Sequence, residues 1–302
     1  MIRLLGPALG FAAAHLLRLT RRRIGIAVVY HAVGDPAGDP ARELVPTLAT
    51  RVFRSQVRHL RSCYRLVTAS ELPAAVESRR RWQRIPAAIT FDDDLRSHAE
   101  TVAPILEELG TTATFFLTGA SLDAPRAYWW HKLQAAADRG VLDPGALHQR
   151  AHTIQLMDPA QKAEVERDLT NRLDEPVDGF HLPAADVRKL AQSGCEIGFH
   201  TRRHPYLPTV SEAELGDAMR EGLGELVEAA GAAPTSIAYP HGGGGPREAD
   251  AARAAGFRAG YTTMPTLIRP GADRLLLGRV EIPHSSAGRL AVRLALRVTG
   301  LR

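Results

Sequence analysis

The sequence predicts an α/β barrel of about eight parallel strands, and three observations predict it. Short apolar runs alternate with stretches of helical period along most of the chain, the rhythm of a parallel sheet covered by helices. Between Ala87 and Thr118 a strand, a helix and a second strand follow one another within the span of one βαβ unit. The 302 residues, 45% of them hydrophobic and 24% charged, suffice for one such barrel with a full core and are far from a disordered composition.

In chain order, residues 1–23 form a basic amphipathic segment. Its apolar run from Leu4 to Leu17 is shorter than the ~20 residues of a spanning helix, and arginines follow it where a signal peptide would have a small-x-small cleavage site. The barrel itself is expected over residues 24–285, opening with a buried strand at 24–30. Residues 51–61 carry Val52, Phe53, Val57 and Leu60 at helical spacing. A short strand at 66–68 and a helix through Glu77 lead to the strand 87–91. Ser97 with Glu100 three residues on reads as a capping box opening a helix that Gly110 ends, kinked at Pro104 by the missing donor. Residues 112–118 are β-branched and aromatic, a strand.

Residues 119–181 break the rhythm with helical patches and no clear strand, which predicts a helical insertion on one βα loop. Trp129 and Trp130 inside it either anchor the insertion on the barrel or stack on a substrate. The rhythm resumes with a helix at 186–193 and a strand at 195–199. Ser211 with Glu214 opens a helix that puts Leu215, Met219, Leu223 and Leu226 on one face. A strand at 236–239, a helix at 247–255, a strand at 258–262 and a last strand at 275–282 complete the barrel. Residues 286–302 form a C-terminal basic amphipathic helix with Arg289, Arg293 and Arg297 at every fourth position.

The net charge of +5 lies mostly in arginines at the two ends. No aromatic-interleaved basic stripe and no nucleic-acid module occurs, so nucleic acid is not an expected partner. The two ends are expected either to pack on the domain with their arginines in solvent or to lie against a membrane surface. The expected location is therefore cytoplasmic, with peripheral membrane contact through the basic termini. Cys63 and Cys195, each in an apolar stretch, read as buried thiols and form no disulfide framework.

Three clusters follow predicted strands, at the edge where barrels keep their active sites. The first is Thr90-Phe91-Asp92-Asp93-Asp94. Adjacent carboxylates repel one another, and a cation among them relieves the repulsion; a plain acidic turn is the alternative. The second is His200-Thr201-Arg202-Arg203-His204, whose histidines at i and i+4 share one face of a helical turn and so reach one ion. With a carboxylate from another strand end they make a His₂-carboxylate set with positions left for water and substrate. The third, Ala238-Tyr239-Pro240-His241-Gly242, runs into further glycines. Its amides can face a developing oxyanion, it lacks the Gly-Lys-Ser/Thr of a phosphate loop, and a flexible turn is the alternative.

Together these residues resemble the polysaccharide deacetylase family (the NodB-homology domain, carbohydrate esterase family 4) over roughly residues 24–284. Asp92-Asp93 within Thr-Phe-Asp-Asp is similar to the first family motif, His200-x-x-x-His204 to the second, and Tyr30-His31 to the opening of many members. The resemblance implies a deformed (β/α) barrel of seven or eight strands and hydrolysis of a carbon–nitrogen bond other than a peptide bond, in an N-acetylated glycan. It implies Asp92 as catalytic base and a divalent metal ion on Asp93, His200 and His204: zinc, with cobalt or nickel suiting the same donors. Asp94 stands where members usually carry glycine.

The third motif departs from the usual Arg-x-Pro-Tyr-Gly, so the arginine that orients the aspartate is missing. Arg279 on the last strand is expected to replace it, since a cation beside Asp92 holds it ionised. Tyr239, Pro240 and His241 are expected at the substrate, with the His241 N–H toward the oxyanion. His284, in Ile282-Pro283-His284, is a candidate general acid, with His31 its competitor. Two other functions fit the same residues: a catalytically silent glycan-binding member, or a hydrolase of O-acetyl esters or non-sugar amides.

Overall fold

Near-continuous apolar runs make strands that are buried on both faces, and helices must then cover both sides. The computed structural model describes residues 2–300. Among these residues the strands are β1 (Ile26–Tyr30), β2 (Val33–Gly34), β3 (Leu48–Ala49), β4 (Arg65–Leu66), β5 (Pro86–Asp92) and β6 (Thr114–Leu117). They continue with β7 (Glu196–Phe199), β8 (Ser236–Ala238), β9 (Ala259–Tyr261) and β10 (Val280–Glu281).

β2 and β3 pair with each other, and the remaining eight form one parallel sheet in the order β10-β1-β5-β6-β7-β8-β9, with β4 beside the start of β5. Leu277 bridges Tyr261 of β9, and Val280 pairs with Val28 of β1, so one segment joins both edges of the sheet. The result is a deformed (β/α) barrel.

Several helices follow the expected pattern: α2 (Thr50–Cys63), α3 (Leu72–Glu77), α8 (Ala184–Gln192) and α11 (Pro246–Ala254). Elsewhere the local prediction fails for identifiable reasons. Ser97 has helical backbone angles and caps nothing; its Oγ instead accepts from the Val33 N–H at 3.4 Å. The turn His98–Val102 is π-helical and runs without a break into α4 (Ala103–Glu108), so Pro104 follows directly on a π turn, an irregularity that accommodates its missing N–H.

The Ser211–Glu214 capping box does form, but the helix it opens divides into α9 (Glu212–Ala218) and α10 (Leu223–Ala230). Gly222 lies between them at φ +83°, so close to Arg202 that a Cβ would stand 2.9 Å from its Cδ. Leu215, Met219 and Leu226 still face the core. The last strand shrinks from 275–282 to β10 because the segment changes neighbours midway: Leu277 bonds to Gly260 beside β9, and Ile282 to Val29 of β1.

Residues 119–181 contain α5 (Trp129–Asp138), α6 (Leu147–Gln155) and α7 (Pro159–Arg172), packed around a small core of their own that includes Trp129, Trp130, Leu133, Leu169 and Phe180. At the chain ends, α1 (Ile2–Arg18) and α12 (Ala287–Thr299) contact each other and α2. Ala14, Leu17, Leu290 and Leu294 are buried in that packing, and Arg22 donates to the Val298 carbonyl at 3.2 Å. Cys63 and Cys195 are free and buried.

Candidate active site

The three carboxylates at the end of β5 are all buried, and each is held differently. Arg279, wholly buried two residues after Leu277, grips Asp92 with both terminal nitrogens, at 2.5 and 2.7 Å. Thr90 Oγ1 and the Thr262 carbonyl accept from the same guanidinium, each at 3.2 Å, and fix its plane. Burial alone would raise the Asp92 pKa, but the charge and hydrogen bonds of Arg279 outweigh it and hold the carboxyl below its ordinary value.

Asp94 accepts from four donors: the Thr118 N–H and hydroxyl, both at 2.7 Å, and the Ser121 N–H and hydroxyl at 3.3 and 3.0 Å. It therefore latches the β5 end to the start of the insertion, which is what this chain does with a position the family usually gives to glycine. Burial nonetheless pushes its pKa up.

Asp93 sits between them at φ +75°, with its Oδ1 buried and without a hydrogen-bond partner. That oxygen faces His204 Nε2 at 3.4 Å and His200 Nε2 at 3.7 Å, and the two imidazole nitrogens are 3.1 Å apart. Asp93, His200 and His204 thus offer ligand atoms all within 4.8 Å of one another. An orphaned carboxylate oxygen opposite two converging imidazoles is the donor set of a His₂-carboxylate metal site, and the three residues fit a divalent ion. His200 Nδ1 donates to the Ala238 carbonyl at 2.8 Å, which fixes the tautomer that leaves Nε2 free as a ligand. Burial lowers the His200 pKa to about 4, so the ring stays neutral as a ligand must. The i, i+4 spacing predicted a helical turn for the histidines, and the turn that carries them is not helical. Thr201 and His204 adopt φ +51° and +50°, and this bend, rather than a helix face, brings the rings together.

The β8 end corrects two expected substrate contacts. Tyr239 points into the core with its hydroxyl on the Leu275 carbonyl at 2.8 Å, and Pro240 is buried behind the turn. His241 does reach the site: at φ +55° its ring lies 4.6 Å from that of His204, with Nε2 buried and unpaired. Burial and the neighbouring His204 hold its pKa well below the ordinary histidine value. The glycines after it serve close packing. At Gly242, φ +72°, a Cβ would stand 1.9 Å from Thr263 Oγ1.

A cavity of about 300 Å³ joins these parts. Asp92, Asp93, His200 and His204 line it together with His31, His241, Trp129 and Trp130. Both tryptophans also belong to the insertion's core, so one pair of rings anchors the insertion and walls the cavity. Trp130 packs on the His204 ring at 4.7 Å between centroids. Of the two candidate acids, His31 lines the cavity, whereas His284 is exposed and lies outside the lining.

Sequence reasoning missed the latch residues Thr118 and Ser121, although Thr118 stands at the end of the next strand. It also missed Tyr128, whose hydroxyl lies 3.1 Å from both Thr118 Oγ1 and the Arg202 carbonyl. His98, wholly buried against Phe91 and Phe115, had no signal in the sequence.

Comparison with known proteins agrees with this fold. The chain is similar in fold to the Streptococcus pyogenes deacetylase PplD (TM-score 0.62, 16% identity, covering 88% of this chain and 96% of that one). IcaB from Ammonifex degensii gives TM-score 0.62 at 20% identity over 89% of this chain and 95% of that one. A de-N-acetylase from Aggregatibacter actinomycetemcomitans gives TM-score 0.61 at 16% identity over 90% and 100%. At such identities the likeness is one of fold. No curated protein sequence matches the chain. The family profile described as polysaccharide deacetylase matches residues 80–260, which include β5, β7, β8 and the residues that line the cavity from them. By that match the chain belongs to the polysaccharide deacetylase family.

Proposed function

We propose that the protein removes N-acetyl groups from an N-acetylated sugar or polysaccharide by hydrolysis, with a divalent ion held by Asp93, His200 and His204 and with Asp92 as base. The observation that carries this reading is the side-by-side placement in one cavity of an arginine-held carboxylate and a carboxylate with an orphaned oxygen facing two imidazoles. The ion, when bound, supplies Lewis-acid polarisation of the acetyl carbonyl and of the attacking water.

The chain's own residues do the rest. Asp92 is ionised and held at a fixed angle by Arg279, so it can take a proton from water as the oxygen attacks the carbonyl carbon. The amides of Gly242, Gly243 and Gly244 are tied within the turn, which leaves the His241 N–H as the turn's donor toward the oxyanion. His31 is the group we assign to protonate the departing amine. It lines the cavity together with Asp92 and Asp93. His241 is held neutral too strongly for that task. Water adds to the carbonyl, the carbon–nitrogen bond breaks, and acetate and an amino sugar leave. Trp129 and Trp130 wall the cavity with flat apolar surface suited to a sugar ring.

Acetate release from N-acetylated oligosaccharides tests this. Asp92→Asn is expected to lose about 10²–10⁴-fold in rate, the usual worth of a general base, while keeping its metal content. Asp93→Ala is expected to lose both the metal and about 10³-fold or more in rate, since the Lewis acid goes with it. Activity that survives complete chelation, or an Asp92→Asn enzyme as fast as the wild type, would remove the proposal.

A further inference from the structure

The first helix has apolar residues on two opposite faces, and only one of them is covered. Ala14 and Leu17 are buried against the domain, while Phe11 is 47%, Leu16 64% and Leu19, in the turn that ends the helix, 44% exposed. A helix that is apolar on both sides is at rest only when both are out of water. No helix among the described residues is long and apolar enough to cross a membrane.

The loop before β5 extends this exposed stripe and is fastened to it. Trp82, 62% exposed, donates its N–H to the Arg18 carbonyl at 2.6 Å, and Arg81 donates to the Leu19 carbonyl at 2.9 Å. Buried Arg79 binds the carbonyls of Leu17 and Thr20 at the helix end. Trp82 is held outward at φ +74°, with the Arg81 guanidinium 4.9 Å from its ring.

The charge around this stripe has one sign. Residues 8–34, 78–84 and 285–300 contain eleven arginines and no Asp or Glu, although the whole chain has 33 acidic residues. A groove beside Trp82 is lined by Arg18, Arg61, Arg65 and Arg84 against a single carboxylate, Glu107. Exposed leucine, phenylalanine and tryptophan set among arginines complement a bilayer interface, where apolar side chains enter the acyl boundary and arginines meet lipid phosphates.

We propose that this face (Phe11, Leu16, Leu19 and Trp82, with Arg18, Arg21, Arg23 and Arg81) docks the protein peripherally on an anionic lipid bilayer. Trp82 precedes β5 and Asp92 ends it, so the docking face and the catalytic cavity lie toward opposite ends of the same strand. Docking therefore leaves the cavity open to a glycan that approaches from the water.

The 302-residue chain is floated with phosphatidylcholine vesicles, with and without about 30 mol% phosphatidylglycerol. Binding is expected to the anionic vesicles, to weaken with salt, and to fall about ten-fold or more in Leu16→Ser/Leu19→Ser/Trp82→Ser. Arg21→Gln/Arg23→Gln is expected to weaken it less. Both variants are expected to keep wild-type acetate release on a soluble substrate, which separates docking from catalysis. Brominated acyl chains are expected to quench wild-type tryptophan fluorescence and not that of Trp82→Ser, a readout that stands even if the triple variant fails to fold. A wild-type protein that stays off anionic vesicles overturns the proposal, as does unquenched Trp82 or a triple variant that binds equally. So does a soluble dimer abolished by the triple variant without any lipid binding, which would assign the face to a second copy.

Discussion

The two ends of β5 hold their side chains by opposite means. Each carries a residue with φ near +75°, Trp82 four positions before the strand and Asp93 one position after it. At the Asp93 end everything is buried, and two of the carboxylates are held group by group: Asp92 by the charge of Arg279, Asp94 by neutral donors from Thr118 and Ser121. At the Trp82 end the side chain stands in water with an arginine over it. Positive φ in a non-glycine residue is a standing cost that the surroundings must hold in place. Among the described residues three of the five such positions, Asp93, His204 and His241, line the cavity, Thr201 lies in the turn between two of its lining histidines, and Trp82 stands apart. Strain thus gathers where side chains are aimed at something other than their own core.

The largest test of the buried end is to remove its one compensating cation. Arg279→Met is expected to destabilise the fold by about 3–5 kcal/mol in urea unfolding, because it leaves Asp92 buried and unpaired. The Asp92 pKa should then rise, since burial, the largest influence on it, would lose its main opponent, and the acid limb of the rate profile should move to higher pH. Arg279→Lys keeps a charge but not the two-point grip, so it should recover part of the stability and little of the rate. A Met variant as stable as the wild type would mean that Asp92 is not charged in the fold.

A smaller effect separates buried histidine from buried carboxylate at the same end. Burial lowers the His98 pKa from 6.5 to about 4. As the pH falls below 6.5 the unfolded chain takes up a proton that the folded chain refuses, so stability is lost progressively between the two values. By pH 5 the loss is about 2 kcal/mol, from the linkage of proton binding to folding. His98→Phe, which sets a third aromatic ring against Phe91 and Phe115, should therefore flatten the acid side of a stability–pH curve by that amount. Any overpacking it causes would shift the whole curve without changing its slope.

The same contrast explains what was legible in the sequence. The barrel and the candidate metal-holding residues follow from strand periodicity and from chemistry placed directly after strands, both local signals. Arg279 could be inferred because the resemblance implied an arginine beside Asp92 that the third motif lacks. Local reasoning failed where a tertiary contact overruled it. Ser97 caps no helix because it is engaged by Val33, and Tyr239 stays out of the cavity because Leu275 takes its hydroxyl. The histidine pair converges through positive-φ turns that no spacing rule encodes. The stripe on α1 was visible as apolar residues beside arginine, but only the packing of its other face against the domain shows that Phe11 and Leu16 are left uncovered.

The smallest expected effect tests the strain at the exposed end directly. In an ordinary loop Ala is more stable than Gly by about 0.5–1 kcal/mol, because glycine has more freedom to lose on folding. At Trp82 the order should reverse. Trp82→Ala and Trp82→Gly both lose the ring and its contact with Arg81, but alanine must still bear φ +74° and glycine need not. Left-handed backbone costs a non-glycine residue about 1–2 kcal/mol, so the glycine variant should unfold at higher urea by roughly 0.5–1 kcal/mol. If alanine proves the more stable, the loop has relaxed to negative φ once the ring is gone, and what holds Trp82 outward is the ring's own contact with Arg81 rather than the bonds to Arg18 and Leu19.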